Sequence, residues 1–537
     1  MSSTINQEAL NKLNEVSPLP NIEGPEKSRG VVAAVSKNIV ASLSRVMAVS
    51  LVALVLPAYL THHLPVTTYA AWVLILELGA YVSYLDLGVQ TAVSKFVAEY
   101  DAKGDRNGAG RHASAGFVLM MFAGALGLLL TLVLMWQVPR LFSRMPADLY
   151  RDVRISVILV GTSLCFRLIC AVYSAVFLGL QRYWIPMTIS IANRVSFVAI
   201  IIVVVTLHGS LTAMGLAVAL INVATGVTQV VAWRKKARHI RISTRLLEFP
   251  VLKKVARYCS LQSIWTVGML CVTGLDITIV GHYDYVQTAY YSIATLPTSF
   301  LLLIMSSMMD PLMPASSALS TRRSAADMGN ILARITRYST VILLLTGLPL
   351  MVYGLPILRI WVGPSYAIHT IRYLQILIFA NIIRNLCLPY ATMITATGRQ
   401  EAAIATAVTE AAVNLSCSIY LASRFGAIGV ALGTLLGSLV SVSLHFAITM
   451  HYTHSSLAIS RTELFLKGLL RPAMIALPSL ALFPLWRSPE RMTLNPGLAL
   501  VWLSSTLFLA FFGALDGKER DQLKGTLRRR VLLWQTR

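Results

Sequence analysis

The sequence predicts an all-α polytopic membrane protein, from its composition and from the grouping of its apolar residues. Hydrophobic residues make up 56% of the 537 positions, charged residues only 13%, and the mean hydropathy is +0.67. A soluble protein carries about twice that charged fraction. The apolar residues fall in blocks long enough to cross a hydrocarbon layer of about 30 Å. Because backbone groups in lipid need internal hydrogen-bond partners, each block is expected to be a helix.

About fourteen such blocks are present. Several neighbouring pairs are joined by a tight turn, such as His208-Gly209-Ser210 between the fifth and the sixth. The predicted spans are residues 38–60, 69–94, 113–137, 155–178, 186–206, 211–232, 257–280, 289–311, 338–358, 373–395, 402–422, 427–450, 466–486 and 496–514.

The net charge of +23 has two explanations, which differ in where the basic residues lie. A nucleic-acid-binding protein groups them on one domain face, whereas a membrane protein concentrates them in its cytoplasmic loops. With fourteen spans, 33 of the 46 basic residues lie on the side of the N-terminus, nine on the other side and four inside spans. We therefore expect a multi-pass protein with both termini in the cytoplasm and no nucleic-acid partner.

The spans also show an internal duplication. Two stretches, 214 to 217 residues apart, resemble each other. The first consists of Gly179-Leu-Gln-Arg182, an apolar span and then Ser210-Leu-Thr-Ala-Met-Gly215. The second consists of Thr397-Gly-Arg399-Gln, an apolar span and then Arg424-Phe-Gly-Ala-Ile-Gly429. Chance similarity among helices rich in glycine and alanine is the alternative. The predicted segments are a disordered cytoplasmic tail (1–37), a six-helix lobe (38–232), a basic cytoplasmic linker (233–256), a second six-helix lobe (257–450), two additional helices (451–514) and a basic cytoplasmic tail (515–537).

Nothing in the sequence predicts a cofactor, a metal site or an enzymatic centre. The six cysteines lie in apolar stretches and form no C-x-x-C pair, which favours small buried residues over zinc ligands or disulfides. No G-x-x-x-x-G-K-[ST] motif for ATP binding occurs. The N-terminal 30 residues are polar and lack the apolar core of a signal peptide.

The clearest local signature is Leu85-Asp86-Leu87-Gly88, followed by Ala98-Glu99-Tyr100 and Lys103-Gly104-Asp105. With Ala396-Thr-Gly-Arg399, Ala427-Ile-Gly-Val-Ala431 and Ile360-Trp-Val-Gly-Pro364, it resembles the polysaccharide-export branch of the multidrug/oligosaccharidyl-lipid/polysaccharide (MOP) exporter superfamily, the O-antigen-flippase-like proteins. The resemblance implies a MATE-like arrangement of two six-helix lobes plus two C-terminal helices.

The same resemblance implies a function. Proteins of this branch move undecaprenyl-pyrophosphate-linked oligosaccharide across the bacterial inner membrane for surface polysaccharide biosynthesis. The expected partners are that lipid-linked substrate, membrane lipids, and a polysaccharide polymerase or glycosyltransferases. Two alternatives stay open: efflux of drugs or small cations on the same fold, and an integral-membrane polymerase or ligase. An efflux cavity is expected to be acidic and aromatic, and a polymerase is expected to carry a large outward loop.

Candidate site residues are the ionisable groups inside spans, because each costs about 2.5 kcal/mol or more at the centre of the bilayer and usually faces a cavity or a partner. Four arginines, Arg45, Arg167, Arg194 and Arg384, are predicted to line a cationic cavity for the pyrophosphate. A guanidinium suits that role because it stays charged and offers a planar fork of donors. The alternative is structural pairing, for example of Arg45 with Asp86.

The acidic and polar candidates are Glu77, Asp86, Glu410 and Asn414, for ion coupling or for structure. Glu410 and Asn414 lie one turn apart, so they either line the cavity or form a polar helix contact. Two further carboxylates, Asp276 and Asp310, lie near predicted span ends and are expected to be solvated at the membrane interface.

Overall fold

The computed structural model describes residues 54–310, 312–320, 323–482 and 496–514, together with Gly517 and Arg520. Within them every regular element is a helix, which confirms the predicted fold class. In chain order the helices are α1 (54–63), α2 (Val66–Tyr84), α3 (Val89–Ala102), α4 (Arg106–Leu141), α5 (Leu149–Gly179), α6 (Trp184–Thr206), α7 (Leu211–Lys236), α8 (Phe249–Tyr283), α9 (Gln287–Met309), α10 (Leu312–Ser320), α11 (Ala325–Val352), α12 (Gly354–Val362), α13 (Pro364–Ala396), α14 (Gln400–Phe425), α15 (Ala427–Thr453), α16 (Arg461–Ala481) and α17 (Pro496–Ala514).

Thirteen helices of the described residues are long and apolar enough to cross a membrane. They coincide one by one with the second to fourteenth predicted spans. The first predicted span, 38–60, lies mostly outside the described residues. Its described end belongs to α1, where Leu56 and Leu60 are buried against the rest of the bundle.

The second predicted span, 69–94, is not continuous, so that prediction is wrong in its second half. Helix α2 ends at Tyr84, and Leu87 and Gly88 follow with φ of 47° and 81°. Glycine adopts this left-handed conformation at little cost because it has no side chain. A Cβ at Gly88 would also lie 2.4 Å from Cγ of Gln262. The break starts the separate helix α3, which packs on α4 and α5.

The helices alternate between two ends of the bundle. One end holds the connections 103–105, 180–183, 237–248 and 397–399, with Lys103, Arg182, Arg238 and Arg399. We call it the basic end. The other, which holds the connections 142–148, 207–210 and 284–286, is called the opposite end.

Helices α1 to α7 and helices α8 to α15 form two groups. In the first group α5 packs against α2, α3, α4 and α7; in the second α15 packs against α13 and α14. Helix α16 packs on α11, and α17 packs on α16. The turns that flank α6 and α14 have matching positive φ angles, at Gln181 and His208 in one group and at Gly398 and Gly426 in the other. This correspondence supports the internal duplication.

Close packing of α14 on α15 depends on three glycines spaced four residues apart. A Cβ at Gly429 would lie 2.2 Å from the carbonyl carbon of Leu421, and one at Gly433 would lie 2.5 Å from the backbone nitrogen of Ser418. A Cβ at Gly437 would likewise lie 2.8 Å from Cβ of Asn414. Small residues at a helix interface let two backbones approach within van der Waals contact.

The segment between α7 and α8 packs on the first group of helices and is not an extended tether. Ala237 and Ile240 are fully buried. The indole nitrogen of Trp233 donates to the carbonyl of Ile240 at 3.1 Å, and the backbone nitrogen of Ser243 donates to Oγ of Ser114 at 3.1 Å. The basic side chains of this segment, including Arg238, remain exposed around the buried residues.

The two groups of helices meet along α8 and at the opposite end. Helix α8 begins against α3 and α4 and finishes against α14 and α15. At the opposite end the hydroxyl of Tyr285 donates to the carbonyl of Thr67 at 2.7 Å, and Nδ1 of His282 lies 2.6 Å from the carbonyl oxygen of Leu141. Together these contacts join the first group to the second.

The glycine packing predicts a difference between two alanine substitutions. Gly433→Ala places a methyl group against the backbone of α14, and overpacking of this kind costs about 1–3 kcal/mol. We expect a lower melting temperature for the purified protein. Gly268→Ala, in α8, meets no atom within 4 Å and is the matched control. Equal melting temperatures for the two variants would contradict this account of the packing.

Candidate functional site

A cavity of about 380 Å³ lies between the two groups of helices. Its walls come from α1, α2 and α6 on one side and from α8 and α9 on the other. Three aromatic residues line it, Tyr69, Trp72 and Phe197, and the rings of Trp72 and Phe197 stack with centroids 6.5 Å apart. Toward the basic end, the hydroxyls of Tyr81 and Thr278 form a hydrogen bond between α2 and α8.

Two charged side chains line this cavity, Arg194 and Glu77. Arg194 is exposed to the cavity, and within the described part of the chain it makes no ion pair or hydrogen bond. Glu77 likewise has neither among the described residues. The neighbouring Asn193 donates to Oγ1 of Thr225 at 2.7 Å, which ties α6 to α7. A guanidinium and a carboxylate are therefore both available to a ligand here.

Arg167 lies at a similar depth on α5, but it is not among the residues that line the cavity. Val160 and Leu164 approach Gly79 of α2, and Arg167 follows Leu164 by three residues on the same face of α5. It is twelve residues from Gly179 at the basic end, or about 18 Å at 1.5 Å per residue. Arg167 is half-buried and makes no ion pair or hydrogen bond with described residues.

Arg384 does not line the cavity. Its Nε donates to Oε1 of Glu410 at 2.8 Å, and the two side chains are only 17% and 13% exposed. The structure thus pairs two predicted site residues with each other. Of the four arginines, it places Arg194 on the cavity, Arg167 on α5 and Arg384 in an ion pair. Arg45 lies outside the described residues.

The two remaining candidates have structural contacts. Asp86 accepts a hydrogen bond from the backbone nitrogen of Gln90 at 3.2 Å, at the start of α3. Its proposed pairing with Arg45 falls outside the described residues. Asn414 is fully buried against Gly437, and its Oδ1 lies 3.5 Å from Oγ of Ser418. These contacts fit a structural role for both residues, which was the alternative to ion coupling.

The expectation that Asp276 is solvated at the membrane interface is wrong. Helix α8 continues to Tyr283, so Asp276 lies inside it and is only 6% exposed. Its Oδ2 accepts hydrogen bonds from Tyr291 at 3.2 Å and from Thr434 at 3.1 Å. Its burial results from the contacts with α9 and α15, which the apolar pattern of a single segment does not show. Asp310, in contrast, is exposed, as expected.

The described residues were also compared with the requirements of a metal site. Within the described ranges, no three His, Cys, Asp or Glu side chains form a group suited to a metal ion. Of the predicted site residues that the structure describes, Arg194 and Glu77 on the cavity and Arg167 on α5 make no hydrogen bond or ion pair with described residues. The arrangement is therefore one that can bind charged or hydrogen-bonding groups in an apolar, aromatic surrounding.

Comparison with known proteins gives similarity in structure only. No family model matches the chain, and no curated protein matches it. Among solved structures, the lipid II flippase MurJ in an inward closed conformation matches with a TM-score of 0.66 and 13% identity, over 91% of this chain and 99% of that one. An inward-facing multidrug resistance MATE transporter of the MOP superfamily matches with a TM-score of 0.63 and 15% identity, over 79% of this chain and 99% of that one.

A third match is a MOP superfamily transporter from Pyrococcus furiosus, with a TM-score of 0.53 and 15% identity, over 79% of this chain and 97% of that one. At these identities the similarity concerns the fold. The chain has the fold of the MOP superfamily transporters.

Proposed function

We propose that this chain is a flippase that moves undecaprenyl-pyrophosphate-linked oligosaccharide across the bacterial inner membrane for surface polysaccharide biosynthesis. The observation that carries the proposal is the guanidinium of Arg194, on the wall of a cavity between the lobes and without a partner among the described residues. A guanidinium binds phosphate oxygens through two parallel hydrogen bonds. An unpaired charge at this depth is costly, so a ligand that pairs with it is bound favourably.

The remaining lining fits an amphipathic substrate. Most of the cavity wall is apolar, and its aromatic faces suit the apolar faces of sugar rings. Its volume, about 380 Å³, is within the range of ligand sites but too small for a long isoprenoid chain. The diphosphate and its first sugars therefore enter the cavity, and the lipid chain stays in the bilayer.

The fold comparisons support the same class of function. The match to the lipid II flippase extends over 91% of this chain, against 79% for the MATE transporter. A transporter of this kind needs no enzymatic centre, and its partners would be membrane lipids and the polymerase or glycosyltransferases that handle the same lipid-linked chain.

A second candidate function is efflux of drugs or small cations. Glu77 favours it, because this carboxylate lines the same cavity without a partner among the described residues and would attract a cation. The two functions differ in which of the two charges binds the substrate.

Variants of Arg194 test the flippase proposal. Arg194→Ala removes a charged hydrogen-bond donor worth about 1.5–3 kcal/mol, so we expect at least about a tenfold loss of flipping. Arg194→Lys keeps the charge but loses the planar fork, so it retains part of the activity. The measurement is flipping of undecaprenyl-pyrophosphate-linked oligosaccharide in proteoliposomes, per molecule of inserted protein. Lys235→Ala, at the exposed basic end, is the control and is expected to behave as wild type.

Normal flipping by Arg194→Ala would contradict the proposal. Transport of a cationic dye that Glu77→Gln abolishes, and that Arg194→Ala leaves unchanged, would favour the second function instead.

Orientation is a further part of the proposal: the basic end faces the cytoplasm, as the positive-inside rule requires. We expect a cysteine at Thr244, exposed at the basic end, to resist an impermeant thiol reagent added to intact cells. A cysteine at Ala147, exposed at the opposite end, is expected to react. The unsubstituted protein gives the background from the six native cysteines. Labelling at Thr244 but not at Ala147 would show the opposite orientation and contradict this part of the proposal.

A further inference from the structure

A patch of exposed cations and aromatic rings lies at the basic end of the first group of helices, where α6 begins and α7 ends. Arg182 precedes α6 and is exposed, and the side chains of Tyr183 and Trp184 are 53% and 59% exposed. Nζ of Lys236, the last residue of α7, lies 4.2 Å from the ring centroid of Trp184. Nη1 of Arg182 donates to the carbonyl oxygen of Lys236 at 2.9 Å. We call these four residues the α6–α7 patch.

The patch lies where the outer surface of α7 changes from apolar to basic. Three exposed basic residues, 234–236, end this helix. They follow a stripe of exposed apolar side chains, spaced three or four residues apart and therefore on one face: Leu216, Leu220, Val223, Val227 and Val231. Tryptophan and tyrosine concentrate at the level of the lipid headgroups. An acyl chain that lies on the stripe therefore places its headgroup at the patch.

The corresponding position of the second group of helices has the same turn but lacks this charge. There Nη2 of Arg399, in the turn before α14, lies 3.5 Å from Oγ of Ser455, just after α15. At the spacing of 217 residues that relates Arg182 to Arg399, Glu401 replaces Trp184 and Thr453 replaces Lys236. The positive-inside rule explains why basic residues lie at this end of both groups. It does not explain why cations gather beside an indole in the first group only.

We propose that the α6–α7 patch binds the phosphate of an anionic phospholipid in the leaflet at the basic end. The guanidinium of Arg182 and the ammonium of Lys236 are charged donors for phosphate oxygens. A zwitterionic headgroup carries a cation of its own, which these two residues repel, so the patch favours an anionic headgroup. None of the patch residues lines the cavity between the lobes. The proposal therefore does not depend on the transported substrate.

The test is the quenching of Trp184 fluorescence by phospholipids with brominated acyl chains, in nanodiscs that contain the full-length protein. The chain has nine tryptophans, so the contribution of Trp184 is the part of the quenching that the variant Trp184→Phe lacks. Brominated phosphatidylglycerol and brominated phosphatidylcholine are compared at equal mole fraction in a phosphatidylcholine bilayer. Because basic residues at the surface attract anionic lipid, we expect the first to quench Trp184 at least about twofold more.

Three double variants assign this preference to the patch. Arg182→Gln/Lys236→Gln removes both cations and is expected to abolish the preference for phosphatidylglycerol. Arg182→Lys/Lys236→Arg keeps both charges and is expected to retain it. The matched control, Lys253→Gln/Arg399→Gln, removes the same charge from exposed residues elsewhere at the basic end and is also expected to retain it.

Equal quenching by the two lipids in wild type would overturn the proposal, and so would a preference that survives in Arg182→Gln/Lys236→Gln. Loss of the preference in the matched control would show diffuse attraction by the whole basic end, which also overturns it. Unlabelled undecaprenyl pyrophosphate tests for a substrate site. If it relieves the quenching at a lower mole fraction than unlabelled phosphatidylglycerol does, the patch serves the transported lipid and the proposal is wrong. Arg194→Ala is expected to keep the lipid preference whether or not it flips, so this test and that of the flippase fail separately.

Discussion

The cost of placing a charge in hydrocarbon determines how this chain is built. A side chain that stays ionised there needs a counter-charge, a set of hydrogen-bond donors or a polar cavity beside it. Arg384 and Glu410 meet the requirement by pairing at 2.8 Å, and Asp276 meets it through two hydroxyl donors. Arg194 faces the cavity between the lobes. The first three hold helices together, whereas Arg194 is available to a ligand.

The position of that cavity is explained by the tight packing of helices inside a lobe. Glycines such as Gly433 bring α15 so close to α14 that a side chain would meet the neighbouring backbone, which leaves no space within the pair. Closely packed interiors have few voids larger than a water molecule. Space for a ligand is therefore found where the lobes meet, between α2 and α6 on one side and α8 and α9 on the other.

Much of the fold could be predicted from the sequence, because span length and composition are properties of single segments. The second to fourteenth spans were located in this way. The break at Leu87 and Gly88 was missed, because the apolar pattern continues through it and only the backbone angles reveal it. The burial of Asp276 was missed because it depends on the neighbouring helices α9 and α15, whose Tyr291 and Thr434 contact it, and not on the hydropathy of its own segment.

The site was predictable only in part, because pairing depends on which helices are neighbours in space. Both Arg384 and Glu410 stood out as intramembrane charges, yet nothing in the sequence showed that α13 and α14 bring them together. Arg194 and Glu77 were likewise selected for their depth, and the structure adds that they line one cavity. Tyr291 and Thr434 were not selected, since hydroxyl residues are common in such helices and carry no signal alone.

The central claim is that the cavity between the lobes serves an anionic, lipid-linked substrate. Its most direct test is a comparison of two substrates with the same reconstituted wild-type protein. Proteoliposomes are supplied either with undecaprenyl-pyrophosphate-linked oligosaccharide or with a cationic dye. This account predicts that the lipid-linked substrate is moved and that the dye is not. Transport of the dye with no flipping of the lipid-linked oligosaccharide would contradict it.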